Sequence, residues 1–192
     1  MKKILLISIF ILISALSAQA NEIKRIFVGN ESAKISIIAF ESLTCSYCAK
    51  FHQDVYPLLK KEYLDTGLAK IEFRHFPLDI AAFNASKVAQ CTNDGNLEIL
   101  ESLYANQQKW VKGSSIEEAN INLQKFLSKE GFNIDFESCI NNKQIEDFVL
   151  NDRIDGAKNF KVNATPTIII NNKKFEKTLN YKNLKKALEK LI

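Results

Sequence analysis

Lys34-Ile35-Ser36-Ile37-Ile38-Ala39-Phe40, then Glu41-Ser42-Leu43-Thr44, then Cys45-Ser46-Tyr47-Cys48, is the stretch that decides the fold. The first run is short, apolar and rich in β-branched residues, which reads as a buried strand. From Cys45 onward Tyr47, Phe51, Val55 and Leu58 recur at helical spacings, so Cys45 opens a helix. Unpaired N–H groups and the positive dipole end at such a terminus favour a thiolate over a thiol. Cys48 lies one turn further in, close enough to close a two-thiol ring. The pattern suits reversible disulfide chemistry.

Two other uses of a C-x-x-C pair are weighed against this one. A structural zinc site needs four ligands, and the chain has no second C-x-x-C and no close histidine pair. Cys91 and Cys139 stand alone, and His52 and His75 are the two histidines. The pair could also be an inert disulfide, but its strand-to-helix context argues for redox use.

The chain has 192 residues and a formal charge of +4. Lys2 and Lys3 precede an apolar run from Ile4 to Leu16, and Ala18-Gln19-Ala20 offers a small-x-small cleavage pattern. That run of 13 residues is shorter than the roughly 20 needed to span a bilayer. The reading is a signal peptide over residues 1–20, cut after Ala20, with an uncleaved anchor as the alternative. No cysteine lies near the cut, which argues against lipid attachment. Export places the mature chain where disulfides persist, in the periplasm. Loss of Lys2 and Lys3 leaves +2, and the remaining lysines are scattered, so nucleic acid is not an expected partner. A hydrophobic content of 46% excludes general disorder.

Residues 21–33 form a polar lead with one apolar triplet, Ile26-Phe27-Val28, before the turn signal Gly29-Asn30. Pro57 should kink or divide the helix that starts at Cys45. Leu68 to His75 reads as a second strand. Helical patterns then fill the chain: Ala81 to Cys91, Leu97 to Trp110, a helix capped by Ser115, a short turn carrying Cys139, and Gln144 to Phe160. Thr167 to Ile170 returns to strand character, Asn171-Asn172 to a tight turn, Lys173 to Lys177 to a strand, and Tyr181 to Leu191 to an amphipathic helix. The order β–α–β, helical block, β–β–α splits one mixed sheet: residues 21–80, an all-helical insertion at 81–160, and 161–192.

This order, with C-x-x-C after the first core strand and Ala164-Thr165-Pro166-Thr167 before Ile168-Ile169-Ile170, resembles the thioredoxin fold. The helical insertion narrows the resemblance to the DsbA-like thiol–disulfide oxidoreductases of bacteria. It implies an α/β fold in which Cys45 and Cys48 are the catalytic, redox-active pair and need no cofactor or metal. It implies that Pro166 is cis and faces the pair, exposing the backbone of Thr165 to an extended substrate strand. It also implies a structural disulfide between Cys91 and Cys139, the alternative being two buried free thiols. Where many relatives carry Pro-His between the cysteines, this chain carries Ser46-Tyr47. Where relatives often bury a glutamate six residues before the first cysteine, this chain has Ala39; Glu41 shares its strand parity and either substitutes or faces solvent. His52 either lends a cation to the cysteine face or is a solvated surface histidine. His75 and Trp110 read as structural.

The resemblance further implies a monomeric oxidase that accepts reduced exported proteins and is recharged by a DsbB-like membrane quinone reductase. DsbC and DsbG isomerases carry an N-terminal dimerisation domain, whereas about 13 residues precede the first core strand of the expected mature chain. An isomerase or reductase is the runner-up. A non-catalytic chaperone module would lack a cysteine or the proline, and both are present.

Overall fold

A computed structural model of the protein describes residues 22–192, so the expected signal peptide and its cleavage site lie outside the described residues. The apolar triplet of the lead is a strand, β1 (Ile26–Gly29). It pairs antiparallel with β3 (Ala69–His75), which lies parallel to β2 (Ile35–Glu41). On the other side of β2, β4 (Thr167–Ile170) runs antiparallel and carries β5 (Lys173–Lys174) at the edge. The strand order β1-β3-β2-β4-β5 puts the strand leading to the cysteines at the centre of a mixed sheet. β5 ends three residues earlier than its lysine-rich sequence suggests. The Asn171-Asn172 turn takes φ of 45° and 63°, the left-handed backbone that asparagine tolerates.

β2 is buried on both faces, which is why its sequence shows no polar alternation. Ile35, Ile37 and Ala39 join Ile71, Phe73, Ile168 and Ile170 in the larger core. Ile38 and Phe40 point the other way, into a smaller core with Phe76, Val162 and Ile169.

After β2, helical turns run without interruption from Ser46 to Leu64: α1 (Ser46–Lys50), a π-helical turn, α2 (Tyr56–Leu59) and a second π-helical turn. Pro57 does not divide the helix. It lacks an N–H, and the wider turn just before it, in which the Tyr56 N–H bonds the Phe51 carbonyl, accommodates that loss.

Between β3 and β4 lie α3 (Ile80–Gln90), α4 (Glu98–Ala105), α5 (Gln107–Trp110), α6 (Ile116–Lys129), α7 (Phe136–Asn141) and α8 (Lys143–Asn159). Asp79, Ser115 and Asn142 cap α3, α6 and α8, each accepting from a first-turn N–H. The single helix expected from Leu97 to Trp110 is broken at Asn106, whose φ of −118° and ψ of 22° leave the helical region. The Leu103 carbonyl, which an unbroken helix would bond to Gln107, instead accepts the Trp110 indole N–H at 2.8 Å. Helix α9 (Tyr181–Leu188), capped by Asn180, closes the fold.

A disulfide joins Cys91, at the end of α3, to Cys139 in α7, with Cα atoms 5.5 Å apart. His75 is buried, its backbone N–H on Asp152 and its ring on Gln90. Asp152 also binds the Arg25 guanidinium, so this buried carboxylate is paired.

Helix α8 buries Ile145, Val149, Asp152 and Gly156, and Gly156 lies against the rings of the small core. A Cβ on Gly156 would lie 2.8 Å from the Phe40 ring and 3.2 Å from that of Phe76. Glycine to alanine inside a helix ordinarily gains about 1 kcal/mol, but overpacking a filled core costs about 1–3 kcal/mol. Gly156→Ala should therefore lower the denaturation midpoint; an increase would show that α8 shifts freely. Replacing Cys91 and Cys139 together by alanine should cost up to about 4 kcal/mol, the loop-closure entropy for their separation of 48 residues. Equilibrium unfolding of that double variant against the parent checks it.

Candidate active site

The link from β2 to α1 is a tight turn, Ser42-Leu43-Thr44-Cys45, closed by the Cys45 N–H on the Ser42 carbonyl at 3.0 Å. Cys45 then takes extended φ/ψ of −78° and 118° as the N-cap of α1, and its carbonyl accepts the Cys48 and Ala49 N–H groups. The loop after β3 braces the turn. Thr44 Oγ1 donates to Asp79 at 2.7 Å, and the Leu78 N–H donates to Ser42 Oγ at 3.2 Å.

Thr165-Pro166 is a cis peptide, and it lies against Cys45. The Cys45 thiol donates to the Thr165 carbonyl at 3.3 Å. Ladder pairing of β4 begins at Thr167, so the backbone of Thr165 stays outside the sheet. Its side-chain hydroxyl is buried without a conventional partner, which leaves it free to donate to sulfur.

The two thiols are not equivalent. Cys45 is partly exposed and Cys48 wholly buried. The hydrogen bond from the Cys48 thiol is the largest influence on Cys45; burial opposes it, and the Thr165 hydroxyl and the N–H groups of Cys48 and Tyr47 reinforce it. Together they lower the Cys45 pKa from the ordinary 9.0 to about 5. Cys48 is pushed far above the thiol range, first by burial, then by its hydrogen bond to Cys45 and the charge of Glu41.

His52 is not a surface histidine. Its side chain is 6% exposed, lies 4.2 Å from the Tyr104 ring in a stack, and shares a 2.9 Å hydrogen bond with the Glu41 carboxylate. Phe51, Tyr56 and Phe73 complete its wall. The periodicity of the active-site helix could not reveal this, because the covering ring comes from α4. Glu41 itself is buried rather than solvent-facing, and its second oxygen has no partner. Burial first, and then the charges of Glu41 and the cysteines, push the Tyr104 phenol well up.

Sequence reasoning missed Gln107. Its side-chain amide donates to the carbonyls of Leu43, at 2.8 Å, and of Cys45, at 3.1 Å. The signal was a polar residue continuing the stripe of Leu100, Leu103 and Tyr104, where another apolar side chain belongs. Among the described residues no cluster of histidine, cysteine and carboxylate groups could hold a metal ion.

On the far side of Cys45 a cavity of about 480 Å³ lies between Tyr47, Phe51 and Val55 of the active-site helix and Thr165, Pro166 and Leu179. A second hollow, of about 440 Å³ beside His52 and Tyr56, lies on the opposite flank of that helix and is bounded by Tyr104 rather than by the cis-proline loop.

A family model described as thioredoxin matches residues 21–190. The chain is 26% identical over 174 residues to disulfide bond formation protein D of Bacillus subtilis, covering 85% of this chain and 75% of that one. It is 25% identical over 171 residues to a Rickettsia typhi protein named as a candidate protein-disulfide oxidoreductase, covering 86% of this chain but only 61% of the relative's length. The crystal structure of Wolbachia pipientis alpha-DsbA1 superposes with a TM-score of 0.77 at 27% identity, covering 87% of this chain and 90% of that one.

Glu41→Gln should keep a hydrogen bond to His52 and lower the Cys48 pKa by removing a nearby negative charge. His52→Phe should deprive a buried carboxylate of its histidine partner and cost more, about 3 kcal/mol or above. Urea unfolding of both variants orders the two costs, and thiol-specific labelling across pH reads the shift at Cys48. Equal costs would show that Glu41 is not held by His52.

Proposed function

The chain belongs to the thioredoxin family, and from that premise we propose that it is a DsbA-like thiol–disulfide oxidoreductase that introduces disulfides into exported proteins. One observation carries the reading. A half-exposed sulfur with a depressed pKa sits at a helix N-terminus against a cis-proline loop, and a buried sulfur of opposite tendency lies directly behind it.

The chemistry follows from that asymmetry. A substrate thiolate attacks Cys45 Sγ of the Cys45–Cys48 disulfide. A substrate–Cys45 bond forms, the Cys45–Cys48 bond breaks, and Cys48 leaves with the electron pair and takes a proton. Burial and the negative charge of Glu41 both disfavour a Cys48 thiolate, so Cys48 ends this step protonated. A second substrate thiolate then attacks the substrate's own sulfur and expels Cys45 as a stabilised thiolate. The substrate has lost two electrons and two protons; the pair Cys45 and Cys48 is reduced. A low-pKa leaving group makes the release favourable and the protein an oxidant.

Thr165 and Pro166 are the substrate-binding residues. Among the described residues Thr165 makes no main-chain hydrogen bond, and its carbonyl accepts only the Cys45 thiol, a bond that the disulfide form lacks, so an extended peptide can pair with it. The cavity along Tyr47, Phe51 and Leu179 then receives an apolar side chain beside the reacting cysteine. A DsbB-like membrane quinone reductase restores the disulfide, with the protein working as a periplasmic monomer.

Alkylation of Cys45 should follow a pH profile centred at about 5 rather than near the free-thiol value of about 8.5. Cys48→Ser should accumulate mixed disulfides through Cys45 when mixed with a reduced, unfolded substrate, and Cys45→Ser should trap none. A Cys45 that titrates as a free thiol, or reacts more slowly than Cys48, overturns the assignment.

A further inference from the structure

The turn that carries Cys45 has a main-chain acceptor on a buried residue that neither the strand nor the helix satisfies. The Ser42 carbonyl takes the Cys45 N–H, and the Cys45 carbonyl takes the first N–H groups of α1. Leu43, itself buried, has no main-chain donor for its carbonyl. The donor comes from Gln107, 64 residues away in the helical block. Two carbonyl oxygens can only accept, so the amide must present its nitrogen to both, which fixes its orientation. Gln107 is buried.

Gln107 reaches this position because the helix before it is broken. Asn106 leaves the helical region, and the Trp110 indole takes over the Leu103 carbonyl that Gln107 would otherwise bond. The break is therefore held by a buried tryptophan, and the residue it redirects is the one that grips the cysteine turn. The loop after β3 holds Ser42 and Thr44. Gln107 holds the carbonyls of the two alternate residues, Leu43 and Cys45.

We infer that Gln107 is a positioning residue for the exchange reaction: it fixes the peptide from Leu43 to Cys45 so that the Cys45 sulfur stays over the helix N–H groups and against Thr165. This rests on the thiol–disulfide exchange reading of Cys45. Without the amide, the Leu43 carbonyl loses its partner and the turn must rotate to find water. Cys45 Sγ then moves off the donors that stabilise its thiolate. The amide hydrogens also place partial positive charge beside two carbonyl oxygens that would otherwise face the thiolate's surroundings unneutralised. Both effects favour the charged form of Cys45.

The test is titration of the Cys45 thiolate, by absorbance and by alkylation rate, in the wild-type protein and in two isosteric variants. Gln107→Met removes both donors while keeping shape, and should raise the Cys45 pKa by roughly one unit. Gln107→Glu replaces the amide by a charge that cannot donate when ionised, and should raise it further. The equilibrium against glutathione should move toward the disulfide form by up to about tenfold, the equivalent of one pKa unit. Asn84→Ala, which removes a hydrogen bond to Asn120 elsewhere in the helical block, supplies a destabilised control whose Cys45 should titrate as wild type. If both Gln107 variants lose stability but keep the wild-type Cys45 pKa and glutathione equilibrium, the inference is overturned. If Gln107→Met does not fold, Gln107→Glu alone decides by the same readings. A wild-type Cys45 with an ordinary thiol pKa would instead sink the exchange reading, which separates the two failures.

Discussion

Cys45 sits where a buried strand hands over to a helix, and the placement of its sulfur there constrains the rest of the site. The strand must be central, since both faces of β2 are covered and its end cannot drift. The link must be short and turned, so that Cys45 arrives as the N-cap rather than as a helical residue. The cis peptide at Pro166 must meet it from β4, the strand hydrogen-bonded to β2. Each condition concerns a different part of the chain, yet all of them converge on the position of one sulfur.

The direction proposed for the redox chemistry rests on the inequality of the two thiols. In the folded, reduced protein Cys45 has released its proton above a pKa of about 5, whereas an unfolded thiol holds its proton up to about 9.0. Between those values the unfolded chain binds more protons, so the stability of the reduced fold rises with pH across that window. It is fully present above the ordinary thiol value and is lost as pH falls through about 5. The disulfide form has no such thiolate. In the proposed oxidase, what stabilises the reduced state relative to the disulfide is also what drives oxidation of a substrate. Cys48 works in the opposite sense: its burial keeps it protonated until the exchange calls on it, with Glu41 beside it.

The strand, the paired cysteines and the helix were legible in the sequence because each is decided by neighbours within a few residues. The cis form of the proline before β4 came instead from the resemblance to the thioredoxin fold, since most X–Pro bonds are trans. What escaped was decided by contacts across the fold. His52 sits on the active-site helix at a spacing that allows either face, and it is buried by residues remote in sequence, the Tyr104 and Phe73 rings and Glu41. The break at Asn106 runs against the local period of Leu100, Leu103 and Tyr104, and it persists because Trp110 satisfies the carbonyl it frees. Lys173 to Lys177 looked like a full strand, but β5 is an edge with only β4 to pair with, so two residues suffice. Gln107 gave the clearest unread signal, a polar side chain on a core-facing stripe. Most buried polar groups have a partner, and the partner here was the backbone of the active-site turn.

Helix α3 separates the two cysteine pairs in space as well as in chemistry. Its N-cap, Asp79, bonds Thr44 in the active-site turn, and its last residue precedes Cys91 of the structural disulfide. Eleven helical residues lie between, which at 1.5 Å per residue is roughly 16 Å. Thiol–disulfide exchange requires sulfur to approach sulfur in line, so no local movement of the Cys45 turn can bring it to the Cys91–Cys139 bond. One helix thus braces the turn that holds the reactive thiol and carries, at its far end, the bond that ties the helical block together. The structural bond is tied to the helix that carries Asp79, the partner of Thr44, without placing a second exchangeable disulfide within reach of the first.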